Sequence, residues 1–168
     1  PAGRLCLDAG QSTGGFTDCL LRQGAVQVVG IDVGYGQLHP SLRADPRVLC
    51  LERINLRSVV ADDLPVSPFD LIVGDLSFIS LTLVLPALVG LLAPAGDLLL
   101  LVKPQFELQP GQVGKGGIVR EPALHAVVQE RLRQACASLE LQVVGWHDSP
   151  IAGGDGNREF FLHARHGA

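Results

Sequence analysis

The chain has 168 residues, of which 47% are hydrophobic and 18% charged, with a formal net charge of -4. Such a composition specifies one well-packed domain that buries roughly two-thirds of its unfolded surface without disulfides or metals, and it excludes a disordered chain. The acidic balance argues against a protein that holds nucleic acid unaided, while leaving local basic patches open.

Residues 4–9 read as a short apolar strand running into a glycine turn, Gly10-Gln11-Ser12-Thr13-Gly14-Gly15, and residues 14–23 as a helix closed by Gly24. Residues 26–32 form a second strand, rich in Val and Ile and without alternation, as expected when both faces are covered. Residues 47–51 make a third. Residues 69–75 make a fourth, introduced by Ser67-Pro68 and followed by a helix over residues 78–92.

The apolar run 81–102 approaches the ~20 residues that span a bilayer. Pro86, Pro94, Gly96 and Asp97 interrupt it, however, and Pro94-Ala95-Gly96-Asp97 reads as a turn joining a buried helix to a central fifth strand, residues 97–102. Residues 104–122 are rich in Gly and Pro and too long for an ordinary connection, which marks them as functional or mobile. Residues 122–139 carry a helical apolar stripe, and residues 141–147 and 159–164 flank a glycine-rich connection as a hairpin-like final pair.

Cys6, Cys19, Cys50 and Cys136 stand singly, matching neither a zinc site nor a redox motif. They read as buried free thiols of a reducing cytoplasm. The chain opens at Pro1 with no methionine and no visible signal peptide, so the expectation is a cytoplasmic piece of a longer protein whose N-terminal part lies upstream.

Strands alternating with helices specify an α/β, doubly wound, mostly parallel sheet, seven strands in all. Ligands of such sheets bind beyond the carboxyl ends of the strands, near the point where strand order reverses. Asp8, Asp32, Asp75 and Lys103 fall at those ends. Glu159 begins the last strand and joins the same edge if that strand runs antiparallel to the others.

The turn departs from the G-x-G-x-x-G dinucleotide fingerprint, yet its small residues let a ligand approach the backbone. Asp32 closes the second strand, where an acidic side chain accepts ribose hydroxyls. These residues fit a nicotinamide cofactor or S-adenosylmethionine. The altered spacing weakens a pyrophosphate seat and suits a ligand with a zwitterionic amino-acid tail. Residues 111–117 lack the P-loop spacing and its terminal Ser/Thr, which excludes nucleotide hydrolysis and leaves a substrate loop.

The segments DAGQSTGGFTDCLL, DVGYGQL, ERIN, GDLSFISL, VKPQFE, GKGGIVR and SPIAGGDGNREFFL together resemble the signature segments of the TlyA (haemolysin A-like) family of FtsJ-type rRNA 2'-O-ribose methyltransferases. The resemblance covers nearly the whole chain and implies a Rossmann-like class I methyltransferase domain over residues 1–168. It implies transfer of the S-adenosylmethionine methyl to a ribose 2'-hydroxyl of ribosomal RNA, typically of cytidine, by a Lys-Asp-Lys-Glu tetrad. Asp75, Lys103 and Glu159 match three members, and the first lysine lies upstream of Pro1. Cofactor contacts map to Asp8, Gly10, Ser12, Gly14, Gly15, Asp32, Asn55 and Asp75. Gln11 departs from the alanine or serine usual in the family. No metal is implied, the partners are rRNA or ribosomal subunits, and an upstream RNA-binding domain is expected.

The chemistry asks for such a group independently. A ribose hydroxyl is a poor nucleophile, so in-line attack on a methyl needs a base and tight positioning. Lys103 is the candidate base, with Asp75 and Glu159 orienting it and the hydroxyl. Arg53, Lys115, Arg120 and Arg158 are candidates for phosphate contacts. Two other functions compete: an NAD-dependent dehydrogenase, disfavoured by the glycine spacing, and a membrane-active haemolysin, which predicts an amphipathic or spanning segment.

Overall fold

The computed structural model of the protein describes residues 2–153 and 156–167, with the side chains of all of these except Pro110 and Lys115. Among them a seven-stranded sheet has the order β3-β2-β1-β4-β5-β7-β6. The strands β1 (Leu5–Ala9), β2 (Gln27–Ile31), β3 (Val48–Leu51), β4 (Phe69–Gly74) and β5 (Leu92–Val102) are parallel. The last strand, β7 (Phe160–His166), runs antiparallel to β5 and to β6 (Leu141–Asp148). Strand order reverses between β1 and β4, which locates the switch point of the sheet there.

Apolar residues on both sides of the strands separate two cores. On one face α3 (Leu81–Val89) and α4 (Pro122–Ser138) bury Leu85, Leu88, Val128 and Leu132 against Leu7, Ile72, Leu98, Leu100 and Leu162. On the other, α1 (Gly15–Arg22) and the single turn α2 (Pro40–Arg43) bury Leu20, Leu21, Leu38 and Leu42 against Cys6, Val28, Leu71 and Val73. The first core is continuous across the sheet. The fully buried residues of the second stop at β4, with the half-buried Leu99 of β5 packed at their margin.

Two expectations are corrected. The helix after β4 starts at Leu81 rather than at residue 78, because Phe78 adopts φ 65 and Ser80 caps the helix by accepting from the Thr82 N–H. The helix ends before Leu92, and Pro94-Ala95-Gly96-Asp97 is not a turn between elements. It is a bulge inside an 11-residue strand: β4 pairs Phe69 with Leu92 and Leu71 with Asp97, so the extra residues of β5 arch out while the ladder resumes. Gly96 permits the arch, since a Cβ there would lie 2.9 Å from the Phe69 carbonyl oxygen.

The cysteines divide. Cys6 and Cys136 are buried, and burial pushes both thiols up to about 11, whereas Cys50 is half-buried and Cys19, contrary to expectation, is exposed. No helix among the described residues is long and apolar enough to cross a membrane.

At the foot of the sheet, Asp97 accepts from Arg4 (2.9 Å), His163 (2.8 Å) and Arg165 (2.5 Å), tying the entry of β1 to β5 and β7. Burial alone raises its carboxyl, but hydrogen bonds from Arg165, His163 and Arg4 outweigh that and hold it well below the usual carboxylate range. A depressed native pKa contributes stability above the unfolded value and loses it as pH falls through the native one. Asp97→Asn should therefore cost about 1–3 kcal/mol at neutral pH. It should also flatten the loss of stability below about pH 4. Denaturant midpoints from pH 2 to 7 check this; parallel curves for the two proteins would refute it.

Candidate active site

The glycine turn leaves β1 at the switch point. The Gly10 N–H donates to the Ile31 carbonyl at 2.8 Å, and a Cβ on Gly10 would lie 2.7 Å from the Asp75 carbonyl oxygen, so the turn is pressed against the exit of β4. Gly14 precedes α1 with φ 103, and a Cβ there would strike Leu38 and Leu42. Its role is thus to close α1 onto the loop that follows β2. Gly15, the first residue of α1, faces open space.

Asp32, just beyond β2, accepts from the Ser12 N–H at 2.7 Å with one oxygen and from the Gly34 N–H at 3.0 Å with the other. It shares a recess with Gln11, Ser12, Tyr35 and Glu52. Asn55 does not line that recess. Its side-chain oxygen accepts from the Arg57 N–H in an exposed turn, which is tied to the site by the backbone bonds Ile54–Asp32 and Arg53–Gly34.

Asp8 lies beneath the turn, 1% exposed. One of its oxygens accepts from the Thr17 hydroxyl at 2.7 Å, and Thr17 in turn accepts from the Gln11 amide at 2.9 Å. The other Asp8 oxygen and the Gln11 side-chain Oε1 are buried without a partner among the described residues. Burial pushes the Asp8 carboxyl up to about 7; Thr17 opposes this, while the charges of Asp75 and Asp32 add to it. The Gln11 side chain rests on Gly30, where a Cβ would come within 1.9 Å of it. A cavity of about 220 Å³ opens above, lined by Asp8, Gly10, Gln11, Ser12, Thr13, Gly15, Phe16 and Asp75.

The ends of β4, β5 and β7 converge beside this cavity. Asp75 follows β4 and meets the Lys103 amine at 2.6 Å, and that amine also donates to the Ser77 hydroxyl at 2.9 Å. Lys103 follows β5. The last β5–β7 pair is Val102 with Phe160, so continuing the antiparallel register sets Glu159 beside Lys103. Glu159 is half-buried, and its carbonyl accepts from the Ser149 N–H.

The other expected residues lie apart. Arg53 stacks over Tyr35 at 4.4 Å, Arg120 is exposed on the long loop, and Arg158 pairs with Asp148 at 3.2 Å above the Phe160 ring. The Lys115 side chain lies outside the described residues. Buried polar side chains anchor the long loop. Glu107, 4% exposed, accepts from the Ser80 hydroxyl and from the Leu81 N–H at 2.7 Å, and burial pushes its carboxyl up to about 7 against those bonds. Asn157, fully buried, accepts from the Val119 N–H at 2.7 Å and donates to the Gly117 carbonyl at 2.8 Å.

Ser77, Phe78, Glu107 and Asn157 escape reading of the sequence residue by residue, although each sits inside one of the signature segments. Phe78 is 90% exposed beside Ser77, with its ring 5.2 Å from that of Phe106.

A family model described as FtsJ-like methyltransferase matches residues 1–166. The chain is 52% identical over 170 residues to the 16S/23S rRNA (cytidine-2'-O)-methyltransferase TlyA of Mycobacterium tuberculosis, covering 98% of this chain and 61% of that protein. It superposes on a candidate hemolysin from Streptococcus thermophilus with a TM-score of 0.95 at 42% identity, over 99% of this chain and 60% of the other. An S-adenosylmethionine-dependent methyltransferase from Mesorhizobium loti, 14% identical, shares the fold with a TM-score of 0.68, over 98% of this chain and 92% of that one. The chain thus spans about three-fifths of the length of the longer relatives it matches. With its strand order, its glycine turn and its signature segments, this chain belongs to the FtsJ-like methyltransferase family, alongside the TlyA proteins.

Proposed function

We propose that this chain is the methyltransferase domain, residues 1–168, of a protein that methylates a ribose 2'-hydroxyl in ribosomal RNA, at cytidine, with S-adenosylmethionine as donor. The observation that carries the reading is the negative character of the cavity at the switch point. Asp8, Asp32 and Asp75 surround the turn, and one buried oxygen of Asp8 and one of Gln11 have no partner. A pyrophosphate would be repelled there, whereas an ammonium donor satisfies both orphaned acceptors. The residues present therefore fit S-adenosylmethionine: Asp8 and Gln11 for the amino-acid end, the Gly10–Gly15 backbone for close approach, and Asp32 for the ribose.

When bound, S-adenosylmethionine supplies an electrophilic methyl group on a sulfonium. Lys103 takes the proton of the ribose 2'-hydroxyl. Asp75 and Ser77 hold the Lys103 amine from two sides, at 2.6 and 2.9 Å, which restricts its rotation and aims it at one place on the edge. Glu159, from the neighbouring strand, orients the hydroxyl. Phe78, exposed beside Ser77, offers a flat face on which an unstacked base can lie, as single-stranded RNA recognition commonly requires. With a net charge of -4, the domain relies on further parts of the longer protein for its grip on RNA.

Lys103→Ala should lower methyl transfer by about 10²–10⁴-fold while leaving cofactor affinity within a few-fold; unchanged turnover in the intact protein would refute the base assignment. Calorimetry should detect S-adenosylmethionine binding and no NAD binding. Affinity should weaken as pH falls through about 7, because a protonated Asp8 no longer offers a charge to the ammonium. Asp8→Asn should bind more weakly and lose that pH dependence. Radiolabelled methyl transfer to separated ribosomal subunits, followed by mapping of the modified ribose, tests the substrate. The 168-residue chain alone should methylate far less than the full-length protein, and equal activity would overturn the division of labour.

A further inference from the structure

Beneath the glycine turn, two buried polar side chains keep an unpaired acceptor each, and a third side chain joins them. Gln11 is 3% exposed and Asp8 1%, and the fully buried Thr17 lies between them. The Gln11 amide donates to the Thr17 hydroxyl at 2.9 Å, and that hydroxyl donates to Asp8 at 2.7 Å. The Asp8 Oδ1 and the Gln11 Oε1 are left without a partner among the described residues, and both residues line the cavity at the turn.

Proton count fixes the direction of this chain of bonds. A threonine hydroxyl has one proton to give, and an ionised carboxylate only accepts. Turned over, the Gln11 amide would set Oε1 against Thr17, and one proton would face two acceptors. With Nε2 toward Thr17, rotating the hydroxyl away from Asp8 and toward Gln11 would bring two donors together, so the proton stays on the Asp8 side. A hydroxyl that accepts a hydrogen bond also donates a stronger one, by about 10–30%. Strand β2 fixes the place. A Cβ on Gly30 would lie 1.9 Å from the Gln11 amide carbon and 2.1 Å from its Nε2. Gly30 has no positive φ, so what its missing side chain supplies is the slot in which Gln11 lies.

We propose that Gln11 is a positioning residue for the cofactor seat: held in the slot over Gly30, it commits the single Thr17 hydroxyl proton to Asp8 and thereby keeps the Asp8 carboxylate as an acceptor facing the cavity. Three side chains from three elements bear on that carboxylate. Thr17 comes from α1, and Asp75 and Asp32 stand just beyond β4 and β2. Burial pushes the Asp8 carboxyl up to about 7, the Thr17 hydroxyl is the largest opposing influence, and the charges of Asp75 and Asp32 act with burial. Whatever strengthens or weakens the Thr17 bond therefore decides how much of Asp8 is ionised near neutral pH. That the acceptor serves the ammonium of S-adenosylmethionine rests on the proposed function; the relay from Gln11 to Asp8 does not.

Carboxyl carbon-13 NMR of the intact protein without cofactor reads the relay directly, with the Asp8 signal assigned by its loss in Asp8→Asn. The wild-type carboxyl should titrate at about 7. Gln11→Met keeps the bulk over Gly30 but removes the donor, and its Asp8 midpoint should move up. Gly30→Ala evicts the Gln11 side chain while leaving Gln11 and Thr17 in the sequence, and should move the midpoint the same way; its clash is with the end of a flexible side chain, so β2 is kept. Thr17→Val should raise the midpoint as well, adding Gln11→Met to it should raise it no further, and Thr17→Ser should keep the wild-type value. At pH 7, calorimetry should show S-adenosylmethionine bound about three- to tenfold more weakly by Gln11→Met and Gly30→Ala. An unchanged Asp8 midpoint in those two variants would overturn the proposal. So would an equal further rise on adding Gln11→Met to Thr17→Val, since Gln11 would then act on Asp8 without Thr17. Shifted midpoints in proteins that bind no S-adenosylmethionine would support the relay and overturn the proposed function instead.

Discussion

The pairing of β5 with β4 on one side and with β7 on the other is the constraint on which the carboxyl edge depends. Asp75, Lys103 and Glu159 come from the ends of three strands that are far apart in the chain. They stand at one edge because β4 and β5 end at the same level and because β7 runs the opposite way, so that its beginning lies where the others finish. Neighbouring strands are about 4.8 Å apart, which lets side chains from adjacent ends reach one small group. A one-residue slip of β7 would send Glu159 to the other face.

Two features secure that register. The bulge at Pro94-Ala95-Gly96 absorbs surplus chain between helix α3 and the aliphatic run of β5, so that Leu98 to Leu100 still face Ile72 to Gly74. The Asp97 cluster then clamps β5, β7 and the entry of β1 at the far end of the same strands. Above the edge, Glu107 and Asn157 do for the long loop what the ladder does for the strands. Each is a buried polar side chain whose partners are backbone groups of another segment, and a loop tied at both points carries its satisfied hydrogen bonds into the interior. The stretch after Lys103 is thereby fixed relative to the start of α3, which in turn limits where Ser77 and Phe78 can stand.

Electrostatics decide what the turn can accept. A helix N-terminus at a glycine turn ordinarily favours an anion. Here Asp8 and Asp75 line the cavity at the turn and Asp32 the recess beside it, and burial, with the charges of Asp75 and Asp32 adding to it, pushes the Asp8 carboxyl up to about 7. A buried carboxyl raised in this way, beside a cavity, is the kind of group that recurs at functional sites.

The alternation of apolar runs and breakers was enough to specify a doubly wound sheet, the position of every strand but the fifth within a residue or two, and the residues standing at strand ends. Those are local properties, set by burial on both faces and by the chemistry of turns. The signature segments also carried the family, since their motifs were distributed over nearly the whole chain. The extent of α3 and the bulge in β5 were not legible, because a Pro-Ala-Gly-Asp sequence makes a turn or an arch equally well, and the ladder on either side chooses. Nor was the purpose of Gly14, which packing against Leu38 and Leu42 explains, or the structural duty of Glu107 and Asn157, whose partners lie 26 to 40 residues away. The sequence by itself determined which chemical groups are available at the ends of the strands. Only the tertiary structure decided which of them meet and which acceptors stay unsatisfied, because both depend on register and burial between segments distant in the chain.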